Sequence, residues 1–241
     1  MDLGIDGRVA LVVAGSRGLG RATAEALAGE GARVMLSSRS EASLMDARSA
    51  MRAAGAEVDI RVADITDPNA PAELVDATVA AFGGIDIVIA NAGGPPAGSA
   101  LEISDDLLGR ALDANLLSAV RLTRSAIPLM REQGWGRICY IASYSVVQPI
   151  PGLALSNTAR TALWAWVKTA AHDVAAEGRD ITLNLLCPGP HATDRMRELG
   201  GMGVMGDPAD FGSVATFLCS EQARFVNGAA LVVDGAAALA L

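Results

Sequence analysis

Short runs of consecutive apolar residues, rich in β-branched side chains, alternate along the chain with longer Ala-rich stretches of helical character. The runs predict strands over Arg8–Val13, Arg33–Ser37, Glu57–Val62, Ile85–Ala90, Gly136–Ile141, Ile181–Leu186 and Leu231–Val233. Between them the sequence predicts helices ending at Gly29, near Ala54 and at Phe82, then helices near Asp105–Gln133, Ser156–Glu177 and Pro208–Cys219. Strands that are apolar throughout, rather than alternating, suit a sheet buried on both faces, and strand–helix–strand alternation makes that sheet parallel. The expectation is an α/β fold, a single-domain Rossmann-type doubly wound parallel sheet of about seven strands with helices on both faces. With no repeat beyond the strand–helix unit, no low-complexity segment and no linker, one domain over residues 1–241 is expected. In such sheets ligands bind at the carboxyl ends of the strands, so the residues that follow strand ends carry the chemistry.

Composition narrows the classes. A chain of 241 residues, 51% hydrophobic and 19% charged, can bury a large core and is neither a disordered tail nor a small disulfide scaffold. Its 19 Lys and Arg against 27 Asp and Glu give a net charge of −8, which argues against nucleic-acid or anionic-membrane partners; any phosphate must be caught locally. No apolar run reaches the roughly 18 residues of a membrane span. The segment Met1–Gly7 carries two Asp and no basic residue, unlike a secretory signal, so a cytoplasmic protein is expected. Cys139, Cys187 and Cys219 are odd in number, widely spaced and set in apolar sequence, which reads as buried reduced thiols, with no metal site.

The first strand runs into Gly15-Ser16-Arg17-Gly18-Leu19-Gly20 and then a helix. Glycines there let backbone N–H groups approach a pyrophosphate, and the helix N-terminus adds partial positive charge. At the end of the second strand, where an acidic side chain would accept from the adenosine ribose, the chain offers Ser38 and Arg39, with Arg17 on the Gly-rich loop. Two guanidinium groups favour a 2′-phosphate, hence NADP(H).

On these residues the chain resembles the short-chain dehydrogenase/reductase family, in its 3-oxoacyl reductase-like branch, over essentially its whole length. Against the family's T-G-x-x-x-G-x-G, Gly18 and Gly20 match, while Val13-Ala14 replaces the leading Thr-Gly and Gly15 sits one place late. Either the Ala14 methyl crowds the turn or the cofactor, or Gly15 absorbs the change with an altered turn. The resemblance assigns Asp64-Ile65 to adenine, Asn91-Ala92-Gly93 to the adenosine ribose, and Pro188-Gly189 with Thr193 to the nicotinamide amide. It also assigns Asn115 to the catalytic tetrad.

In this family hydride moves between nicotinamide and a carbonyl carbon while a tyrosine handles the proton on oxygen; a lysine four residues later assists it, and a serine polarises the carbonyl. Ser143 fits the serine. At the tyrosine and lysine positions stand Ser156 and Arg160. An aliphatic hydroxyl is a weaker acid than a phenol by about 6 pKa units, or about 8 kcal/mol, so Ser156 is no direct substitute. Arg160 keeps a positive charge that can hold ribose hydroxyls, but as a planar fork rather than a point charge. Tyr144, beside Ser143, and His191, beside the expected nicotinamide site, are the alternative proton donors; packing or substrate contact and a plain polar loop histidine are the competing readings. The stretch from Asp194 to Pro208, rich in Gly and Met, suits a mobile cover over a small-molecule substrate.

Three functions fit. The first is an NADP(H)-dependent oxidoreductase acting on a small carbonyl, hydroxyl or imine substrate with a divergent proton donor. The others are an NADP(H)-binding regulatory protein without redox activity, and non-redox elimination or isomerisation. The resemblance implies a homodimer or homotetramer packed through the long helices that hold Asn115 and Ser156–Glu177.

Overall fold

The computed structural model describes residues 1–200 and 204–240. Seven strands, β1 (Val9–Val13), β2 (Arg33–Ser38), β3 (Val58–Val62), β4 (Ile87–Ala90), β5 (Trp135–Ile141), β6 (Asp180–Pro188) and β7 (Ala230–Val233), form one parallel sheet in the order β3-β2-β1-β4-β5-β6-β7. The chain builds outward from β1 to β3, then returns to the other side of β1 to lay down β4 to β7. That reversal opens a crevice at the carboxyl ends of β1 and β4, the usual ligand position of the Rossmann-type architecture.

Helices α1 (Gly18–Gly29), α2 (Glu41–Ala53) and α8 (Pro208–Leu218) cover one face, and α3 (Ala70–Phe82), α5 (Ser118–Gln133) and α6 (Ala154–Ala175) the other. Alternate strand residues serve the two layers: Leu11 and Val13 pack with Leu74, Leu122 and Leu163, whereas Ala10 and Val12 pack with Leu27, Leu44 and Phe211. This two-sided burial is why the central strands β1 and β4 are apolar at every position, whereas the edge strand β3, Val-Asp-Ile-Arg-Val, is partly exposed. Local chemistry sets several helix ends. The Ser40 hydroxyl accepts from the Ser43 N–H at 3.3 Å, Asp207 accepts from the Ala209 N–H at 2.9 Å ahead of Pro208, and Gly83 and Gly134 end helices at φ of 84° and 75°.

The stretch expected as one helix from Asp105 to Gln133 is α4 (Asp105–Leu112), a π-helical turn (Asp113–Leu117) and α5. Within the turn the Asn115 amide donates to the Ala111 carbonyl at 3.3 Å, so a side chain takes up an acceptor at the point where the helix widens. The short α7 (Asp194–Glu198) lies in the expected cover; Gly201 to Gly203 of that stretch fall outside the described residues. All three cysteines are buried and free. No described helix is long and apolar enough to cross a membrane.

At the opposite end of the sheet from the crevice, Arg137 is fully buried. It donates to the carbonyls of Ser220, Gly136 and Asp180 and to the Asp180 carboxylate, and its guanidinium stacks 4.4 Å from the Trp135 ring centre, with Arg8 at 3.9 Å from the same ring.

Candidate active site

The turn after β1 keeps its shape in spite of Ala14, which itself takes the left-handed conformation at φ 50°. Gly15 has no positive φ; its N–H donates to the Ser37 carbonyl at 3.0 Å, and a Cβ there would lie 3.0 Å from both Leu36 and Val12. Gly18 is left-handed at φ 56°. A Cβ on Gly20 would stand 2.4 Å from the Ala14 carbonyl oxygen, so only glycine lets α1 start this close to the strand end. Asn91, after β4, donates to that same carbonyl at 3.4 Å. Ser16 is buried, Leu19 half-buried and Arg17 exposed, and the first turn of α1 has neither an acidic residue nor a side-chain cap, leaving its N–H groups for an incoming anion.

Beyond β2, the Ser38 hydroxyl accepts from the Ser40 N–H at 3.3 Å, and Arg39 is exposed. Among the described residues neither Arg17 nor Arg39 makes an ion pair. After β3, the Asp64 carboxylate is held below its usual range, chiefly by the Thr66 N–H at 3.1 Å and then by the Thr66 hydroxyl at 2.8 Å, with the Arg39 charge adding to both. Ile65, Asn91, Ala92, Asn115 and Arg160 all line one narrow cleft at the crevice. Gly93 continues from it into solvent.

On the far side, Ser143 stands two residues beyond β5 in an extended conformation. Its hydroxyl oxygen accepts from the Ser145 N–H at 3.1 Å, which leaves the hydroxyl proton to be given elsewhere. Ser156 stands half-buried in the first turn of α6, and Arg160 one turn on is 7% exposed. The Arg160 guanidinium donates through Nη1 to the Ile141 carbonyl at 2.8 Å, two residues before Ser143, and has no carboxylate partner among the described residues. Burial draws its pKa from 12.5 down to about 10; the neighbouring Cys187 opposes this and the Arg195 charge adds to it. Cys187, near the end of β6, is pushed up to about 12 by burial, although the Ser143 N–H and Arg160 both favour its thiolate. These influences bring Ser143, Arg160 and Cys187 together. Asn115 is 4% exposed, and its Oδ1 has no hydrogen-bond partner in the cleft.

Other expected residues lie apart. His191 is 5% exposed; its Nδ1 lies 3.1 Å from the Gly189 carbonyl, its ring meets Phe211 edge-on at 5.4 Å, and Gly206 packs against it. It joins the two ends of the cover by a bridge to Gly206 and does not line the cleft with Asn115 and Arg160. Tyr144 is half-buried in the single 3-10 turn Tyr144–Val146 after Ser143. Tyr140, on the preceding strand, is fully buried with its hydroxyl 2.6 Å from Thr123 Oγ1. Beyond the half-buried Pro188, Gly189 is required by close approach, since a Cβ there would lie 2.5 Å from the Asp234 Cβ. Thr193 caps α7 by accepting from the Met196 N–H at 3.3 Å, and its methyl faces Gly18 across the phosphate loop.

One residue at the site carried no role in the sequence. Arg195 of α7 spans the crevice and donates from Nη2 to the Pro95 carbonyl at 2.8 Å, with Gly94 beneath it. The only signal for it is an Arg two residues after Thr193; the contact, 100 residues away along the chain, is a product of the fold.

Comparisons with known proteins agree with this geometry. The family model described as enoyl-(acyl carrier protein) reductase matches residues 13–236. Human dehydrogenase/reductase SDR family member 4 is 31% identical over 242 residues, covering 95% of this chain and 86% of its own. An uncharacterized oxidoreductase of Mycobacterium tuberculosis is 34% identical over 245 residues, covering 96% and 92%. Among solved structures, L-sorbose reductase from Gluconobacter frateurii complexed with NADPH and L-sorbose superposes with a TM-score of 0.92 at 30% identity over 100% of both chains. 7α-hydroxysteroid dehydrogenase, complexed with NADH and 7-oxo glycochenodeoxycholic acid, does so at 0.92 and 25% identity over 98% and 96%. The relatives thus include oxidoreductases, nicotinamide dinucleotides occupy the solved ones, and with the matched model and the shared fold they establish that the chain belongs to the short-chain dehydrogenase/reductase family.

Proposed function

We propose that the protein is an NADP(H)-dependent oxidoreductase that moves hydride between the nicotinamide and the carbon of a small carbonyl, hydroxyl or imine substrate, without a tyrosine acid. The observation that carries this reading is the buried Arg160 guanidinium beside Ser143 at the end of a preserved cofactor track. The crevice fits a dinucleotide: α1 starts there with no acidic residue in its first turn and no side-chain cap, and the buried Asn115 Oδ1 is without a hydrogen-bond partner.

In this reading the loop Gly15–Gly20 and the start of α1 hold the pyrophosphate, and Arg17 and Arg39, with Ser38, take the 2′-phosphate. Asp64 and Ile65 border the adenine, Asn91, Ala92 and Gly93 the adenosine ribose, and Pro188, Gly189 and Thr193 the nicotinamide amide. When bound, NADP(H) supplies or accepts the hydride. Ser143 donates its hydroxyl proton in a hydrogen bond to the substrate oxygen. The Arg160 cation stabilises negative charge growing on that oxygen and can also reach a ribose hydroxyl. Asn115 Oδ1 accepts from a hydroxyl or from a water that replaces the missing phenol as proton source, and Ser156 orients that water. An iminium substrate would need no acid at all. Tyr144 contacts substrate; His191 holds the cover. The relatives' printed ligands, a sugar and a bile acid, are of different classes, so a 3-oxoacyl ester is one member of the test panel only.

The test is loss of NADPH absorbance across ketones, 3-oxoacyl esters and imines, with the Ser156→Tyr/Arg160→Lys double variant alongside. Turnover by the unaltered protein supports the reading. Tight NADPH binding without turnover, with activity appearing in the double variant, would favour the second reading, an NADP(H)-binding regulatory protein, which the Ser156 and Arg160 replacements motivate. A homodimer or homotetramer through α5 and α6 accompanies the proposal, supported by the exposed Leu117 of the π-helical turn that leads into α5 and the partly buried Trp164 and Trp166 of α6; light scattering on the eluted protein tests it.

A further inference from the structure

Two guanidinium groups reach the crevice from opposite walls. Arg160 comes from α6, and Arg195 from α7 across to the Gly94-Pro95 turn that follows β4. They are close enough that the charge on Arg195 bears on Arg160. Each is only partly used. Arg160 spends Nη1 on the Ile141 carbonyl, and Arg195 spends Nη2 on the Pro95 carbonyl, while the nearest acid to Arg195, Glu198, is two-thirds exposed at 3.5 Å and screened by solvent.

No Asp or Glu is among the residues that line the cleft; Ala90, Ala92, Ala114 and Ala119 stand there with the polar Asn91, Asn115, Ser118 and Arg160, and the partly exposed Arg195 lies outside that lining, against the Gly94-Pro95 turn. This is notable in a chain with 27 acidic residues against 19 basic ones. The two cations disfavour each other, and an anion bound on the free edge of Arg195 offsets that repulsion. Guanidinium edges match a carboxylate in plane and spacing.

We propose that the substrate carries a carboxylate, which Arg195 binds at the mouth of the crevice so that the reacting carbonyl lies toward Ser143 and Arg160. This rests on the oxidoreductase reading and narrows it to small oxo acids or their hydroxy-acid products. In the reducing direction, hydride from NADPH forms the new bond to the carbonyl carbon, the π pair of the C=O bond moves to oxygen, and that oxygen takes a proton from water; NADPH is oxidised to NADP⁺ and the carboxylate is unchanged. Arg195 is then a specificity-determining residue.

The experiment compares short-chain 2-oxo and 3-oxo acids with their methyl esters, in the unaltered protein, Arg195→Gln and Arg195→Lys. The acids are expected to exceed the esters in kcat/KM by about tenfold or more, as charge-assisted hydrogen bonds imply, and Arg195→Gln is expected to collapse the ratio to near unity, with partial recovery in Arg195→Lys. Esters turned over as well as acids, or a ratio unmoved in Arg195→Gln, would overturn the proposal while leaving the oxidoreductase reading intact. If nothing is turned over, the same acids and esters are titrated calorimetrically into protein saturated with NADP⁺. Tighter binding of the acids, lost in Arg195→Gln, supports the anion site even as the redox reading fails; equal binding, or none, overturns it.

Discussion

Replacing Arg160 by Met separates a residue kept for chemistry from one kept for the fold. The guanidinium is buried, its pKa falls from 12.5 to about 10, and this corresponds to about 3 kcal/mol against the charged form inside the protein. Because the pKa is lowered on folding, the unfolded chain holds the proton more tightly. The penalty is therefore fully present below about pH 10 and is relieved only as the pH rises from there toward the unfolded value. Against its removal stands the hydrogen bond to the Ile141 carbonyl, whose loss leaves a buried acceptor unpaired at about 1–3 kcal/mol. Methionine fills similar space without charge, so the net change in stability is expected to lie between about 0 and 2 kcal/mol in favour of Arg160→Met. For a chain of this size that is an unchanged Tm or a rise of up to about 6 °C, independent of pH between about pH 6 and pH 8. NADPH oxidation should fall by about a hundredfold or more, the scale of removing one preorganised group that stabilises charge on oxygen. Calorimetric scans and turnover on the same preparation provide both readouts. A Tm lowered by more than about 6 °C, or turnover kept within about threefold, would refute the reasoning by making Arg160 a structural residue.

Three further substitutions probe the loop, the cofactor and the core. Ala14→Gly should raise Tm by about 2–4 °C, since relieving a left-handed alanine gains about 1–2 kcal/mol and the flexibility of glycine returns about half of it; a fall in Tm would count against the strain. Arg39→Asp should raise the Kd for NADPH by about tenfold or more and narrow the gap to NADH, measured by fluorescence titration, and an unchanged ratio would remove Arg39 from the 2′-phosphate site. Tyr140→Phe should cost about 1 kcal/mol for the lost bond to Thr123 yet leave kcat unaltered, because the ring is sealed in the core; a collapse of kcat would make Tyr140 the missing acid.

The architecture was legible because two-sided burial writes itself into the central strands β1 and β4 as unbroken apolar runs, and the Gly15–Gly20 loop because only small residues admit a strand end and a helix start so close together. What local pattern does not carry is equally specific. The sequence left open how Ala14 is accommodated; the answer is a left-handed alanine rather than a rearranged Gly15, with Gly20 leaving room for the Ala14 carbonyl and Asn91 donating to it. The π-turn at Asn115 is invisible to a periodicity that reads straight through from Asp105 to Gln133. His191 reads as a polar loop residue until Gly206 and Phe211 close over it, and Arg195 gains its place only when α7 meets the turn after β4.

The central claim, hydride transfer without a tyrosine acid, is tested most directly with NADPH deuterated at its transferable position. The unaltered protein, given the best substrate of the panel, is predicted to deliver one deuterium to the former carbonyl carbon of the product, as read by mass spectrometry. Product without that deuterium, or protein saturated with NADPH that yields none across the whole panel, would contradict it.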